Sequence, residues 1–507
     1  MSIGVAVARG GISEARGATG RFAWGSLALA GCVFGILAAF AGRYGYHRDE
    51  LYFLEAGRHL AWGYPDQPPL VPLVARLMND LVPGSVTVLR LPSAMAAAAI
   101  VPLTAVLTRQ LGGERGAQLL AAGSIAVSAI LVGAGHTLST TMFDLLAWVV
   151  ILLLVVTILR GGDERLWLAV GLIAGAGLLD DDLGAFLIAA LLGGIAIAGP
   201  RRTFRSPWLW AGGIIAAAMW APYLVWQARH GWPELTVSRG IANGASGSST
   251  PRWLLLPEQL VIVSVFLAPV WIAGLVRLFR APELRFARPI GWAYVLLAVV
   301  FLITGGKVYY LAGVYPVLLA AGAQPTLNWI RRGHQRRRRV ALALALAFSA
   351  VLSIAIALPV TPLRDLHNTS FAYDIGETVA WPTYAREIAT AWNRLPASVR
   401  ARAAILTSNY GEAGAVDRYG PALGLPTAYS GHMGFWYWGP PPASATSVLG
   451  VGFDPGYLER FFDQVQLLSR LDNRLQVDND EQHAPLWLAT GLRAPWTVVW
   501  PRFKNLG

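Results

Sequence analysis

The chain has few charged residues, one cysteine and almost no lysine. Only 14% of its 507 residues are Asp, Glu, Lys or Arg, whereas 55% are hydrophobic and the mean hydropathy is +0.48. This composition excludes an ordinary soluble protein and indicates a polytopic membrane protein. The single cysteine, Cys32, excludes an intramolecular disulfide, and no Cys-His metal site is expected. The net charge of +12 comes with only two lysines, Lys307 and Lys504, so it indicates membrane topology and not nucleic-acid binding.

Apolar runs long enough to cross a hydrocarbon core recur along residues 1–360. A crossing helix needs roughly 17–25 predominantly apolar residues. We therefore expect about eleven crossings, with about thirteen as the upper limit. The first run is not followed by a small-residue cleavage site, so we expect it to be retained as a helix. The runs cover residues 22–42, 87–108, 117–134, 140–159, 166–179, 183–199, 207–228, 253–276, 289–304, 308–325 and 340–360.

Arginines between these runs predict the orientation of the helices. Cytoplasmic loops are enriched in Lys and Arg, and here the arginines fall in alternate loops. The N-terminus, with Arg9, Arg16 and Arg21, shares their side and is expected in the cytoplasm. The outer side then carries residues 43–86, 135–139, 180–182, 229–252, 305–307 and everything after 360. The basic loops hold Arg109 and Arg115; Arg160 and Arg165; Arg201, Arg202 and Arg205; Arg277, Arg280, Arg285 and Arg288; and Arg331, Arg332 and Arg336 to Arg339.

Two adjacent carboxylates, Asp49 and Glu50, follow the first predicted crossing on the outer side. Charged groups are costly to place near hydrocarbon, so this pair at the mouth of a helical bundle indicates chemistry. The alternative is a helix N-terminus stabilised by acidic residues in its first turn. Because neither ATP nor cytosolic nucleotide-sugars are found at the outer face, a transferase there needs a donor carried across on a lipid.

Residues 43–86 and 361–507 are the two large outer segments. In the first, Asp49 to Trp62 has the apolar stripe of an amphipathic helix lying on the membrane surface. The prolines of Gly63 to Leu70 end that helix and favour a rigid turn that holds Asp66 and Gln67 near the carboxylate pair. The second segment is expected to be a separate extracytoplasmic α/β domain. Its predicted strands are 403–407 and 447–453, and its predicted helices are 412–419 and 455–463.

Four further groups of residues are candidates for substrate binding, and three of them have a definite structural alternative. Lys307 can meet a donor phosphate as a compact cation, or extend from a helix end to the membrane surface. Asp144 can orient a reactant, or stabilise a helix N-terminus. Gln227 and His230 can hydrogen-bond a head group, although the tryptophans beside them suit an interface anchor. His136 is a lone histidine in a short loop.

Two sequence runs on the outer side allow more than one interpretation. The aromatic run Phe435 to Trp438, which contains Trp436, can stack against a sugar, rest on the bilayer or pack against the helices. Asp180, Asp181 and Asp182 would repel a phosphate unless a cation intervened. Their oxygens suit Mg²⁺, Ca²⁺ or Mn²⁺, but a run of aspartates is more often a solvated turn. We therefore expect no required cofactor, with a divalent cation as the minor alternative.

Several sequence blocks, taken in order over most of the chain, resemble the bacterial branch of the protein O-mannosyltransferase-like glycosyltransferases. This is family 39 of the GT-C superfamily. The blocks are Tyr46-His-Arg-Asp-Glu-Leu-Tyr52, Trp62-Gly-Tyr-Pro-Asp-Gln-Pro-Pro69, Leu138-Ser-Thr-Thr-Met-Phe-Asp144, Trp226-Gln-Ala-Arg-His-Gly-Trp-Pro233, Gly306-Lys-Val-Tyr-Tyr310 with Tyr315-Pro316, and Ser430-Gly-His-Met-Gly-Phe-Trp-Tyr-Trp-Gly-Pro440.

The resemblance implies a polyprenyl-phosphate sugar donor and inversion at the anomeric carbon. It implies that Asp49 is the general base, supported by Glu50, and that Asp144 matches the second acidic position of the family. Lys307 corresponds to a lysine that binds phosphate ahead of a Tyr-Pro pattern, and Tyr310 and Tyr315 in the same block are expected at the substrate. An acceptor hydroxyl needs a base to become a good nucleophile, whereas a phosphate leaves without a strong acid. The aspartates at 180–182 depart from the family pattern, which often has a polar or basic residue there.

The predicted fold is an all-α polytopic membrane bundle of GT-C type over residues 1–360, followed by the extracytoplasmic α/β domain over residues 361–507. The predicted function is transfer of a hexosyl or pentosyl group to a protein hydroxyl, a lipid or a cell-wall glycan. It would take place at the outer face of a bacterial cytoplasmic membrane. Two alternatives stay open. They are a transporter or flippase, although no repeated halves are visible, and a non-catalytic protein that binds lipid-linked sugars.

Overall fold

The computed structural model describes residues 21–244, 249–366 and 373–507. Arg9 and Arg16, on which the orientation prediction partly depends, lie outside the described residues. The described chain is mainly helical and also contains a two-stranded and a five-stranded sheet.

Sixteen α-helices precede residue 358 in the described part of the chain. The first eight are α1 (Gly25–Phe40), α2 (Arg48–Arg58), α3 (Leu70–Leu81), α4 (Val86–Gln110), α5 (Arg115–Ala126), α6 (Ala129–His136), α7 (Thr140–Leu159) and α8 (Leu166–Leu178). The next eight are α9 (Leu183–Ala198), α10 (Pro207–Arg229), α11 (Pro233–Ala242), α12 (Leu255–Val263), α13 (Ala268–Arg280), α14 (Arg288–Thr304), α15 (Tyr315–Arg331) and α16 (Gln335–Ala357). Strands β1 (Ser249–Thr250) and β2 (Gly306–Lys307) pair antiparallel.

Several of these helices have the length and apolarity of membrane spans, which indicates a multi-pass membrane protein. In the described ranges five qualify, namely α4, α7, α10, the segment Pro282–Thr304 that contains α14, and α16. Two bent helix pairs raise the number to seven, and α1, α8 and α9 are shorter apolar helices. Each predicted apolar run falls on helical structure, but the run 253–276 is broken, with an 86° bend. Ser264 leaves helical geometry there, and its hydroxyl accepts a hydrogen bond from the Phe266 amide at 3.2 Å.

Residues 373–507 form a mixed sheet with short helices around it. The helices are α17 (Tyr373–Gly376), α18 (Trp381–Arg394), α19 (Ala397–Arg400), α20 (Tyr410–Tyr419), α21 (Gly434–Trp438), α22 (Pro455–Leu458) and α23 (Trp496–Val499). The strands are β3 (Ala403–Thr407), β4 (Ala428–Ser430), β5 (Ser447–Val451), β6 (Phe462–Arg470) and β7 (Pro485–Leu492), in the spatial order β4-β3-β5-β7-β6. Strand β3 pairs parallel with both neighbours, whereas β7 pairs antiparallel with β5 and β6. The helix predicted over 455–463 is confirmed only for its first turn, because α22 ends at Leu458 and β6 begins at Phe462.

The apolar side of α2 is covered by protein and does not lie on a membrane surface. Leu51, Tyr52 and Phe53 are buried in one cluster with side chains of α18, α20 and β3. The close approach of α2 and α20 depends on Gly414, where a Cβ would lie 2.9 Å from the Leu51 Cβ. Part of the sheet region therefore shares a core with the outer loop, whereas a second buried cluster consists only of residues of the C-terminal region.

The sequence analysis missed α3, which supplies the exposed apolar stripe in this loop. Leu73, Leu77 and Leu81 are 40%, 53% and 69% exposed and lie one helical turn apart. An apolar stripe of this kind suits a helix lying at a membrane interface.

Candidate active site

The start of α2 positions the two carboxylates that the sequence singled out. His47 Nδ1 accepts a hydrogen bond from the Asp49 amide at 3.2 Å, and the His47 amide donates to Glu50 Oε2 at 2.8 Å. These reciprocal bonds form a capping box, which satisfies amide groups left free at a helix N-terminus. Because successive helical residues are rotated by about 100°, Asp49 and Glu50 point to different sides of α2.

Glu50 lies in the protein interior as part of an ion pair. Its side chain is 0% exposed, and both of its oxygens accept from the Arg90 guanidinium at 2.8 Å. The Leu138 amide donates to Glu50 Oε1 at 2.9 Å, while Arg90 also donates to the carbonyls of Ala41 and Gly45. The pair thus connects α2 and α4 with the end of α1 and the start of α7. This saturated environment does not fit the predicted role of Glu50 in orienting reactants.

Asp49 is accessible and accepts a hydrogen bond from the C-terminal region. Its side chain is 41% exposed, and Tyr410 Oη donates to Asp49 Oδ1 at 2.7 Å. Desolvation works to raise the pKa of the Asp49 carboxyl, but four neighbouring groups outweigh that effect and hold the pKa below its ordinary value. These groups are His47, Arg48, Tyr410 and Lys307. Asp49 is therefore ionised at neutral pH and able to accept a proton.

Asp66 lies beside Asp49 but differs from it in protonation. Tyr52 Oη donates to Asp66 Oδ1 at 2.7 Å and accepts from the Gly434 amide at 3.2 Å. Burial raises the pKa of Asp66 to about 7 despite the hydrogen bond from Tyr52, and the charge of Asp49 adds to the rise. Asp66 is consequently close to half protonated at neutral pH and can donate as well as accept a hydrogen bond. Its neighbour Gln67 is buried.

Lys307 lies within electrostatic range of Asp49 from a different part of the chain. Strand β2 carries it, directly after Gly306, and its Nζ lies 5.7 Å from the centroid of the Tyr309 ring. Burial works to lower the pKa of Lys307, but Tyr309, Asp49 and Asp181 together raise it above its ordinary value. The ammonium group is therefore charged, and it interacts electrostatically with one carboxylate from α2 and one from residues 180–182.

The three aspartates at 180–182 lie in three different environments and do not form a solvated turn. Asp180 is 0% exposed, and neither carboxylate oxygen has a hydrogen-bond partner among the described residues. Asp181 Oδ1 accepts from an amide two residues later at 3.0 Å, while Asp182 accepts from Trp220 Nε1 and Tyr223 Oη, both at 3.1 Å. No group of three or more His, Cys, Asp or Glu side chains able to hold a metal occurs within the described ranges.

Asp144 and Tyr310 lie next to this acidic group. Asp144 is buried near the start of α7, where its Oδ1 accepts from Trp148 Nε1 at 2.7 Å. It also interacts electrostatically with Asp181. The ring of Tyr310 lies beside the Gly306 Cα, where a Cβ would come within 2.6 Å of it.

Three predicted binding residues are buried in the protein. Tyr315 is fully buried in α15 and donates to Gln259 Oε1 at 2.9 Å. The Gln227 amide group is also buried and donates to the Tyr64 carbonyl at 2.9 Å. His136, at the end of α6, is buried as well. Protein encloses all three side chains, and their role in substrate binding stays a prediction.

Two more predicted binding residues, His230 and Trp436, belong to aromatic packing around α21. The exposed His230 ring stacks on Trp226 with centroids 4.0 Å apart, and Tyr437 lies 5.7 Å from it. Trp436 Nε1 donates to the Trp500 carbonyl at 3.0 Å, and Trp500 Nε1 donates to the Trp436 carbonyl at the same distance. Trp436 therefore packs within the C-terminal region, whereas its neighbour Tyr437 lies against Trp226 of α10.

Comparison with known proteins supports the resemblance seen in the sequence. The family model described as dolichyl-phosphate-mannose-protein mannosyltransferase matches residues 66–226, which include Asp66, Asp144 and the three aspartates. The fold matches that of ArnT from Cupriavidus metallidurans bound to undecaprenyl phosphate, with a TM-score of 0.60 at 13% identity. The match covers 92% of this chain and 98% of that one. Over residues 66–226 the chain is therefore similar to the mannosyltransferase-like family, and its fold is that of ArnT.

A second structure of ArnT gives the same fold. The apo state of ArnT matches with a TM-score of 0.61 at 13% identity, covering 91% of this chain and 97% of that one. The oligosaccharyltransferase AglB from Archaeoglobus fulgidus, in complex with an inhibitory peptide and a dolichol-phosphate, has a TM-score of 0.49 at 14% identity. That match covers 78% of this chain and 63% of AglB. No curated protein matches the sequence.

A cleft of about 510 Å³ lies near the candidate site, between the end of α2 and the C-terminal region. Glu55, His59, Asp417 and Trp438 are among its lining residues. The His59 ring stacks on Trp438 with centroids 4.4 Å apart, and Tyr52 stacks on Trp438 at 6.0 Å. Tyr52 therefore contacts both Trp438 at the cleft and Asp66.

The neighbours of the carboxylate pair differ in how well the sequence signals them. Tyr52 follows Asp49 by three residues in a helical segment, so a face shared with Asp49 was predictable. Tyr410 comes 361 residues after Asp49, and nothing local to it indicates the contact. Arg90, the partner of Glu50, sits in a predicted crossing, where a charged residue is itself a signal for a buried partner.

Proposed function

We propose that this chain is an inverting glycosyltransferase that moves a sugar from a polyprenyl-phosphate donor to a hydroxyl acceptor at the outer face of a bacterial cytoplasmic membrane. The observation that carries the proposal is the accessible, ionised Asp49 carboxylate within electrostatic range of the charged Lys307. A base and a phosphate-binding cation are the two groups that such a transfer requires.

The proposed step is a single displacement at the anomeric carbon. The acceptor oxygen forms a bond to that carbon while its proton passes to Asp49, and the bond between the carbon and the phosphate oxygen breaks. Polyprenyl phosphate leaves with the bonding electrons, and Lys307 offsets the charge that it gains. Attack opposite to the leaving group inverts the configuration, and no second carboxylate is required as a strong acid.

A lipid-linked donor is supported by the membrane setting and by the relative. ArnT, which has the same fold, is bound to undecaprenyl phosphate in its crystal structure. We retain the proposal of about eleven crossings, with the N-terminus in the cytoplasm and Asp49 on the outer side. Under this topology residues 361–507 are extracytoplasmic, on the same side as Asp49.

Acidic groups next to Asp49 have proposed roles in binding the sugar. Asp66, whose pKa is about 7, is suited to donating a hydrogen bond to a sugar oxygen when protonated. Asp181 lies near Lys307 and competes with the donor phosphate for its charge. We propose that Asp144 acts through Asp181, since the structure links these two carboxylates electrostatically.

The acceptor is proposed to approach through the C-terminal region. Tyr410 of α20 reaches Asp49, so this region completes the environment of the base. The cleft lined by Glu55, Asp417 and Trp438 combines carboxylates with aromatic rings, which suits a hydroxyl-rich acceptor. The proposal covers protein, lipid and glycan acceptors.

The deciding experiment is single-turnover transfer by the purified protein in lipid nanodiscs, supplied with a panel of polyprenyl-phosphate sugars. Release of polyprenyl phosphate and formation of the glycoside are measured together. We expect Asp49→Asn to reduce the rate by about 10²–10⁴-fold, the usual contribution of a general base. The matched control is Asp80→Asn, which makes the same chemical change on the exposed face of α3 and should leave the rate unchanged.

Thermal unfolding of both variants separates loss of chemistry from loss of fold. Asp49→Asn should unfold close to the wild-type temperature, because Asn can still accept the hydrogen bond from Tyr410. Near-normal turnover of Asp49→Asn with an active donor would rule out the assignment of the base.

A further inference from the structure

A groove of about 340 Å³ lies between α5, α15 and α16, at the end of the bundle opposite the candidate site. Helix α15 begins shortly after Lys307, and its 17 residues carry the chain about 25 Å to Arg331. The groove has apolar walls and two arginines, Arg331 and Arg339, in its lining. The apolar lining consists of Gly116, Leu327, Ile330, Leu342, Ala343 and Leu346.

The segment beside the groove carries an unusual excess of positive charge. Six of the nine residues 331–339 are arginines, and residues 308–363 contain neither Asp nor Glu. Arg331 pairs with Glu114 at 2.5 Å, whereas Arg339 contacts only the neutral Gln335 side chain at 3.4 Å in the described chain. Most of the cluster therefore lacks a carboxylate partner within the described residues.

Helix α16 is exposed along most of its length, so the groove opens to the bilayer. Only 11% of its most apolar 18-residue window is buried inside the protein. Leu344, Phe348 and Val351 are 50%, 56% and 65% exposed and face outward. A membrane lipid is consequently the neighbour that this helix meets first.

We propose that this groove binds an anionic phospholipid, with one acyl chain against the leucines and the phosphate between Arg331 and Arg339. The volume lies within the range of about 300–1,000 Å³ that is typical of ligand sites. Basic pockets between transmembrane helices are suited to acidic head groups, and an apolar wall beneath them fits the attached chain. This proposal is independent of the transfer reaction.

Two other roles for the arginine cluster are orientation of the chain in the membrane and self-association. Each explains fewer features of the groove than lipid binding does. Orientation by arginine needs basic loops, such as the one with Arg201 and Arg202, but it does not need a groove. A second copy of the chain related by a two-fold axis would bring two arginine clusters together, and like charges facing each other disfavour association.

The experiment measures retention of phosphatidylglycerol and of phosphatidylcholine by native mass spectrometry of the full-length protein in detergent. The wild-type protein should retain phosphatidylglycerol selectively. Because each arginine near a head group contributes about 1 kcal/mol, Arg331→Gln/Arg339→Gln should weaken this binding roughly 30-fold. The matched control Arg201→Gln/Arg202→Gln removes two exposed arginines from another basic loop and should bind as the wild type does.

A second variant tests the apolar wall without changing any charge. Ala343→Trp places a bulky side chain in the groove and should reduce phosphatidylglycerol retention while the arginines stay in place. Unfolding temperatures in lipid-free detergent identify any variant that is generally destabilised.

Several outcomes would overturn the proposal. Equal losses from the two arginine pairs would indicate diffuse charge, and equally tight retention of glycerol phosphate would indicate a phosphate site without an acyl chain. Unchanged lipid retention in Ala343→Trp, together with a changed oligomer mass, would indicate that the groove is an interface between copies.

Discussion

Asp49 and Glu50 are chain neighbours with the same chemical group, yet their surroundings differ in almost every respect. Asp49 is accessible, accepts one hydrogen bond from a distant tyrosine and lies near a lysine. Glu50 is fully buried, with Arg90 and two backbone amides occupying its oxygens. The difference indicates that one carboxylate is available for chemistry while the other holds the helices around it in place.

This division of roles has a physical basis in hydration. A carboxylate that must accept a proton needs free lone pairs and access for the reacting group. A carboxylate buried among helices is stable only when its partners replace the water that it lost. Asp49 and Glu50 are adjacent in α2, yet the first has the access that proton transfer requires and the second has the partners that burial requires.

Among the tests of the difference between Asp49 and Glu50, the largest effect is expected from Glu50→Gln, on the free energy of unfolding. The change leaves the Arg90 charge buried without its partner, which costs about 3–5 kcal/mol of unfolding free energy. Thermal and denaturant unfolding in detergent should show this loss, whereas Asp49→Asn, the same type of change one residue earlier, should not. Equal stability of the two variants would contradict the structural role of Glu50.

A double-mutant cycle with Arg90→Gln sharpens the measurement. If Glu50 acts mainly through the ion pair, adding Arg90→Gln to Glu50→Gln should cost much less than Arg90→Gln does in the wild type. Additive losses would mean that Glu50 acts through its other hydrogen bonds.

The next largest effect is expected from Lys307→Met. Removing the ammonium group that lies near Asp49 should weaken binding of polyprenyl phosphate by about 10- to 100-fold, the range for a hydrogen bond to a charged group. Binding is measured by titration in nanodiscs. Lys504→Met changes the other lysine of the chain, which lies against the Trp436 ring at 4.5 Å, and should bind as the wild type does. Equal weakening in both variants would exclude a specific phosphate contact.

The smallest effect is expected from Tyr410→Phe. Its hydroxyl group is one of the groups that lower the pKa of Asp49, so its loss should raise that pKa. Because only ionised Asp49 accepts a proton, the acid limb of the rate profile should move to higher pH, by up to about one unit. The rate at neutral pH should fall less than about tenfold. Tyr457→Phe, which removes a hydroxyl that donates to the Arg502 carbonyl, should leave the profile in place.

The positions of the helices were predictable because hydropathy is a local property of the chain. The run 140–159 coincides with α7, and 183–199 differs from α9 by one residue. The break at Ser264 was not predictable in the same way, since it also involves Ser349, whose hydroxyl group lies 2.6 Å away. The hairpin β6-β7 was missed because β6 is exposed along most of its length and lacks the apolar signature of a buried strand.

The candidate site was predictable only in part, for the same reason. Asp49, Asp66 and Lys307 stood out because carboxylates and a rare lysine next to apolar runs are locally unusual. The environments of Glu50 and Tyr315 depend on partners tens of residues away, so the sequence could not separate them from binding residues. The solvated turn expected at 180–182 was wrong because neighbouring helices enclose it.

The hydrogen bond between Tyr410 and Asp49 can form only after residue 410 has been synthesised. Asp49 emerges from the ribosome 361 residues before its partner, which at about 5–20 residues per second is a delay of roughly 20–70 s. During that interval α2 lacks both the hydroxyl group and the surface of α20 that covers it. A partly synthesised protein therefore has Asp49 but not the contacts from α20 that surround it in the finished chain.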